Sequence, residues 1–170
     1  DTYVERATQQ GRGDVAGHSM SEISQLMRVY EDVKTERNVI DFEDVLLILV
    51  GILLDRPDIT KQIRHQYRHF VVDEYQDVSP LQHRLLQLWL GDRKELCVVG
   101  DVSQTIYSFT GASSHYLARF TQEFSDAKII ELNRDYRSTP QIVAAANEVI
   151  APDRSEGAVR LISQLPTSVP

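Results

Sequence analysis

The sequence predicts an α/β protein built on a parallel sheet, and three observations carry that prediction. Short runs rich in β-branched residues (Phe70-Val71-Val72, Leu96-Cys97-Val98-Val99 and Ile129-Ile130-Glu131-Leu132) alternate with segments of helical apolar spacing. Strands of that composition, separated by helices, belong to parallel sheets covered on both faces. Each run also stops at polar residues: Asp73-Glu74, Gly100-Asp101, and Asn133-Arg134-Asp135-Tyr136-Arg137. Ligands of open α/β sheets bind beyond the carboxyl ends of the strands. A solvated turn explains one charged strand end, but not three in succession on one edge.

The elements follow in order. Residues Asp1 to His18 hold three glycines and little apolar content, and read as irregular. From Ser19 or Ser21, the positions Ile23, Leu26, Met27 and Tyr30 recur at helical spacing, predicting an amphipathic helix to about Arg37. Asp41, with Asp44 three residues on, reads as the N-cap of a second helix through Leu54. That helix is apolar nearly all round, which predicts burial on most sides. A short polar helix follows around Ile59–Arg68. Leu81, Leu85, Leu88 and Trp89 predict a helix between the first two strands. Tyr116, Leu117, Phe120 and Phe124 predict one before the third. Thr139-Pro140 opens a last helix carrying Ile142, Val143, Ala146, Val149 and Ile150, since Thr caps and Pro fits the first turn. The Glu156-Gly157 turn before Ala158–Ile162 can start a further strand.

The 170 residues suffice for a real core, and 42% apolar with 25% charged residues is ordinary for a globular chain. A formal net charge of -7 argues against a protein that coats nucleic acid by charge alone, though not against a local basic groove. Cys97 is the only cysteine, so no internal disulfide forms, and a reducing cytoplasmic compartment fits. No apolar run approaches the ~20 residues that span a membrane, and neither a membrane role nor a signal peptide is expected. The chain opens at Asp1 without Met, which fits a piece of a longer protein.

The strand ends suit phosphate chemistry. Magnesium takes one or two carboxylates together with waters and phosphate oxygens, and Asp73 is placed to hold such a hydrated ion. Glu74 is then placed to orient or deprotonate an attacking water. In VVGDVSQTIYSFTGA, a helical turn after Asp101 would set Gln104 and Tyr107 on one face, with Gln104 within reach of a terminal phosphate or its water. Tyr107 and Phe109 offer flat faces for nucleic-acid bases, worth about 1–3 kcal/mol each. Arg137, next to Tyr136, is a cation able to neutralise charge on a transferred phosphoryl group, an effect of roughly 10³–10⁵ in rate.

VVDEYQDVSPLQ, VVGDVSQTIYSFTGA and LNRDYRSTPQIVAAAN, in this order and spacing, resemble motifs II, III and IV of the UvrD/Rep/PcrA-type superfamily-one DNA helicases. IDFEDVL, from Ile40 to Leu46, resembles the segment returning from that family's helical insertion to its first motor domain. The resemblance covers roughly Val39 to Ile150. It implies a partial RecA-like P-loop NTPase motor domain with a parallel sheet, preceded by a helical segment. Residues 1–38 would end the helical insertion, 39–133 form the latter part of the first RecA-like domain, and 134–170 begin the second.

The resemblance also implies roles, position by position. Asp73 and Glu74 match the pair that serves magnesium and water activation, and Gln104 the residue that senses the terminal phosphate of ATP. Tyr107 and Phe109 fall where aromatics contact single-stranded DNA. Tyr136 matches the residue that stacks on adenine, and Arg137 the arginine reaching the terminal phosphate. The implied parent is an ATP-dependent translocase that unwinds duplex DNA, moving 3′ to 5′, with ATP and Mg2+ as cofactors. Two other readings stand beside it: a subunit of a helicase–nuclease, or a non-catalytic DNA-binding or regulatory module with the motor fold.

The chain departs from the family at several points. Phe109-Thr110-Gly111-Ala112 stands where many members read Trp-Arg-Gly-Ala, and Val102 and Ser103 stand where acids are frequent. A phosphate-cradling G-x-x-x-x-G-K-[ST] loop is expected before the Asp-Glu strand, yet none of the eight glycines is followed by lysine. Two expectations follow: the chain by itself does not hydrolyse ATP, and its open sheet edges favour self-association. Smaller features read as structural. His18, His65 and His69 lack partners at ligand spacing, Arg64, Arg68, Arg93 and Lys94 read as solvated surface, and Cys97 reads as an inert core residue.

Overall fold

The computed structural model describes residues 4–5, 14, 16–108, 111–150 and 159–167. The chain divides into two compact units, Asp1–Val45 and Leu46–Pro170.

In the first unit, helix α1 (Met20–Arg37) opens on a capping box in which Ser19 and Glu22 satisfy each other's backbone, and closes on left-handed Asn38. Lys34 is 7% exposed. Its ammonium donates to Asp41 at 3.2 Å and to both oxygens of Asp44 at 2.9 Å, and pairs with Glu31 at 2.8 Å. Asp41 and Asp44 also exchange bonds with each other's amides at 2.9 and 3.0 Å. Asp41 is thus the N-cap of α2 (Phe42–Asp55), as its spacing predicts.

In the second unit, Leu53 of α2 packs with Leu85 and Leu88, and Leu46, Leu49, Val50, Ile63 and Trp89 close around them. The expectation that α2 is buried on most sides is not met. Phe42, Val45, Leu47, Ile48 and Leu54 are exposed, because the described neighbours cover one stripe of a helix that is apolar on all of them. Helix α3 (Pro57–Gln66) follows, and the Thr60 hydroxyl donates to the Leu53 carbonyl at 2.6 Å, fixing the corner.

Strand β1 (Phe70–Val72) pairs in parallel with β2 (Leu96–Val98), with Val71 opposite Cys97. Helix α4 (Pro80–Leu90) crosses between them, opened by a Ser79–Gln82 capping box with Pro80 in its first turn. Arg64 and Arg93 are not the solvated cations expected. Arg64 donates to the Leu88 carbonyl at 2.8 Å, and Arg93 to Leu90, Trp89 and Tyr67 carbonyls at 3.0, 2.8 and 3.0 Å. Both satisfy carbonyls that the end of α4 leaves without intrahelical partners. Cys97 is likewise exposed, not in the core. Side chains alternate across a strand, and Cys97 shares the outward face with Val71, which is 76% exposed.

The predicted helix around Tyr116–Phe124 is two short turns, α5 (His115–Ala118) and α6 (Phe120–Glu123), parted at Arg119. The break lets Tyr116 stack on His83 while Phe120 meets Tyr75 edge-on. Ile129–Leu132 is not a strand. Ile129, Ile130 and Leu132 are 69, 71 and 75% exposed, and no described segment pairs with them. Apolar, β-branched residues suit a ladder without making one. Pairing begins instead at β3 (Arg134–Asp135), which lies parallel to β4 (Ile162–Ser163) across helix α7 (Pro140–Ile150). Among the described residues the alternation of strands and helices is therefore α/β with parallel pairing, in two two-stranded sheets. No described helix is long and apolar enough to cross a membrane.

Candidate active site

β1 delivers Asp73 and Glu74 to its carboxyl end, and β2 delivers Asp101 to the same end of the same sheet. The chain turns abruptly at Glu74, which is left-handed with φ 52 and ψ 41. An ordinary side chain takes that conformation only where its surroundings hold it, at roughly 1–3 kcal/mol. Four contacts hold it here. Asp73 Oδ1 accepts the Glu74 amide at 2.9 Å, and the Tyr75 amide donates to the Val99 carbonyl at 2.9 Å. The Asp77 amide donates back to the Glu74 carbonyl at 2.9 Å, closing a 3-10 turn over Tyr75–Asp77. Gln76 Nε2 donates to Glu74 Oε2 at 2.7 Å.

Gln76 joins the two strand ends. It is 1% exposed, and while its amide nitrogen holds Glu74, its oxygen accepts the Asp101 amide at 3.0 Å. Asp101 then caps a second 3-10 turn, Val102–Gln104, by accepting the Ser103 amide at 2.9 Å. Its other oxygen accepts from Gln104 Nε2 at 2.9 Å. Glu74, Gln76, Asp101 and Gln104 thus form one hydrogen-bonded chain across the sheet end. Gly100 makes room for it, since a Cβ there would stand 2.5 Å from Gln76 Oε1 and 3.1 Å from the Tyr75 amide nitrogen.

The 3-10 turn ends at Gln104, so Gln104 and Tyr107 do not share a helical face as expected. Tyr107 is 49% exposed, and Phe109 lies outside the described residues. The described residues include no group of three or more His, Cys, Asp or Glu side chains arranged to enclose a metal ion. A single strand-end carboxylate fits only an ion that keeps most of its waters, and Asp73 is such a carboxylate.

The family model for the UvrD/REP helicase N-terminal domain matches residues 3–125, which include this whole sheet end. The chain belongs to that family. It is 48% identical over 137 residues to ATP-dependent DNA helicase UvrD2 of Mycobacterium tuberculosis, covering 79% of this chain and 20% of that protein. It is 38% identical over 128 residues to ATP-dependent DNA helicase Rep of Escherichia coli, covering 75% of this chain and 19% of Rep. UvrD1 of Mycobacterium tuberculosis is 40% identical over 121 residues, covering 67% of this chain and 16% of UvrD1. The chain spans about a fifth of the length of these relatives.

In this UvrD/REP-type chain, Tyr136 and Arg137 follow β3 in an exposed turn whose Arg137 and Ser138 amides both donate to Asp135 Oδ1, at 2.6 and 2.8 Å. Those bonds hold the Asp135 carboxyl below its ordinary range. Among the described residues, no hydrogen bond or ion pair joins Arg137 to the Glu74–Gln104 chain. Sequence reasoning missed Gln76, Gly100 and His83. The signal for Gln76 was present, a neutral amide placed between two acids directly after a strand. His83 gave none, because only the packing of α5 and α6 shows that it is buried.

Proposed function

We propose that this segment is the Asp-Glu half of a RecA-like ATPase core in an ATP-dependent DNA helicase, with VVDEYQDVSPLQ, VVGDVSQTIYSFTGA and LNRDYRSTPQIVAAAN serving as motifs II, III and IV. One observation carries the reading: the hydrogen-bonded chain from Glu74 through Gln76 and Asp101 to Gln104. A solvated acidic turn needs no buried amide tying it to the next strand. A site that must report the state of a terminal phosphate needs its base and its sensor fixed relative to each other.

Each residue has a part in this reading. Glu74 holds and deprotonates the attacking water, its carboxylate kept in place by Gln76. Gln104 hydrogen-bonds the terminal phosphate or that water, and Asp101 keeps its amide oriented. Asp73 spends one oxygen on the Glu74 amide and has the other for a water of hydrated magnesium. When bound, Mg2+ would neutralise charge on the phosphate oxygens of ATP. Tyr136 presents an adenine-stacking face, and Arg137 a cation for the transferred phosphoryl group. Their exposure agrees with a second lobe that closes over nucleotide. Tyr107 and Phe109 stack on single-stranded DNA, and translocation runs 3′ to 5′. Residues 1–38 end a helical insertion, 39–133 belong to the first motor domain, and 134–170 begin the second. The 170 residues alone do not turn over ATP, because no glycine-rich loop followed by lysine is present to cradle the phosphates.

The test uses the full-length protein that carries this segment. DNA-stimulated phosphate release should fall by roughly 10²–10⁴ in Glu74→Gln, with nucleotide binding retained. Turnover unaffected by Glu74→Gln would refute the reading. Turnover by the purified 170-residue chain, abolished by the same substitution, would refute the claim that it is inactive alone.

A further inference from the structure

His83 lies on α4, outside the Glu74–Gln104 chain, yet it is buried at 8% exposure. Its ring stacks on Tyr116 with centroids 4.0 Å apart and planes 17° from parallel. Nδ1 lies 3.0 Å from the Tyr75 hydroxyl, and Nε2 lies 3.4 Å from Glu123 Oε2. Glu123 is held in turn by Gln87, whose amide donates to its other oxygen at 2.9 Å. The tautomer follows from the partners: a carboxylate only accepts, so Nε2 carries the proton and Nδ1 accepts from the Tyr75 O–H.

Tyr75 is the residue after Glu74, and its side chain is 0% exposed. Its amide is tied to the Val99 carbonyl just past β2, and its ring meets Phe120 edge-on at 5.9 Å. The turn that places Glu74 in its left-handed conformation is therefore anchored at one point by a side chain whose polar partner, among the described residues, is His83. Core packing alone would be served by phenylalanine at 75. A hydroxyl with a matched acceptor in a fully buried position adds direction as well as volume.

We propose that His83 is a positioning residue for Glu74, acting through the Tyr75 hydroxyl. The inference rests on the reading of Glu74 as the base. Among the described residues, the groups facing His83 are Tyr75 from the 3-10 turn, Tyr116 from α5 and Glu123 from α6, of which Glu123 alone is charged. Adding a proton to Nδ1 removes the acceptor of the Tyr75 hydroxyl and leaves its hydrogen without a partner in a closed site. Burial lowers the His83 pKa and Glu123 opposes that shift, so the neutral, accepting form persists below the ordinary histidine range. As pH falls through the His83 pKa, that side-chain anchor is lost and the turn that carries Glu74 is held less firmly.

The experiment is done in the full-length protein with DNA-stimulated ATP hydrolysis as the readout. His83→Phe keeps an aromatic ring and removes both the hydrogen bond to Tyr75 and the polar contact with Glu123. It should lower kcat about tenfold with KM for ATP within about twofold, and should remove one acidic step from the pH profile of kcat. Tyr75→Phe combined with His83→Phe should cost no more than the costlier single change. A normal kcat with an unchanged pH profile in His83→Phe overturns the proposal. So does a loss of kcat that only tracks the fraction of unfolded protein. Glu74→Gln separates the two claims: if it leaves hydrolysis intact the base reading itself fails, whereas inactive Glu74→Gln beside normal His83→Phe sinks only the role of His83. Should the His83→Phe protein not fold, NMR of the unsubstituted full-length protein decides instead. The amide resonances of Glu74 and Tyr75 should shift with the midpoint of the His83 imidazole titration, and amides that ignore it overturn the proposal.

Discussion

Gln76 Nε2 and Glu74 Oε2 lie 2.7 Å apart, and the Gln76 side chain making that bond also accepts the Asp101 amide, three residues beyond β2. A single buried amide therefore sets the geometry of both strand ends. Replacing it with leucine keeps the volume but strands the Asp101 amide and frees Glu74. Gln76→Leu should destabilise the fold by about 1–3 kcal/mol, read from urea unfolding. An unfolding midpoint unchanged from the parent would mean that water replaces both bonds.

Gly100 is needed for a close approach, not for a special backbone angle. A methyl group there meets Gln76 Oε1 at 2.5 Å, Leu117 Cδ2 at 2.9 Å and the Tyr75 backbone at 3.1 Å, and the last cannot swing aside. Gly100→Ala should cost about 1–3 kcal/mol and weaken the coupling between the two turns. Thermal unfolding checks the first part. Unchanged backbone shifts at Glu74 and Asp101 would contradict the second.

Arg93 holds carbonyls of Leu90, Trp89 and Tyr67 in one guanidinium, with Phe70 beneath it at 5.8 Å. A lysine has no planar fork to reach three acceptors. Arg93→Lys should therefore be nearly as destabilising as Arg93→Ala, by about 1–3 kcal/mol. Full rescue by lysine would show that charge alone matters there.

Lys34 joins Glu31, Asp41 and Asp44 between α1 and the start of α2. The Asp44 amide and the Tyr30 hydroxyl lead the effects that hold the Asp41 pKa down at about 2, and Lys34 lowers that of Asp44. Both folded values lie below the unfolded value of about 3.9, so this stability is present above that pH and is lost as pH falls toward 2. The Lys34 pKa is raised, so its share is present at neutral pH and disappears only well into the alkaline range. Circular dichroism during acid titration should show helix loss between about pH 4 and pH 2. Lys34→Met should flatten that step, and an unchanged acid transition in the variant would remove the cluster as its cause.

β1 and β2 pair only with each other among the described residues, so each presents an unpaired edge. Val71, 76% exposed at the centre of β1, adds an apolar side chain to that face. The chain should associate with rising concentration in sedimentation velocity, and Val71→Lys should reduce this. A clean monomer at millimolar concentration would show the edges to be protected.

The sequence by itself determined whatever depends on neighbours a few residues away. Capping at Ser19, Asp41 and Ser79, the proline starts of α4 and α7, and the strands at Phe70 and Leu96 are written in local chemistry and spacing. The acidic strand ends were legible for the same reason, because parallel pairing brings carboxyl ends to one edge whatever surrounds them. Tertiary structure alone decided the rest. Ile129–Leu132 has the composition of a strand and no described partner, α2 has apolar residues for more neighbours than cover it, and Cys97 faces outward by register. Gln76 and His83 matter through bonds to Asp101 and Glu123, 25 and 40 positions further along the chain. Pairing, burial and hydrogen-bond partnership across such separations belong to the folded arrangement, since each needs a second segment to be present at contact distance.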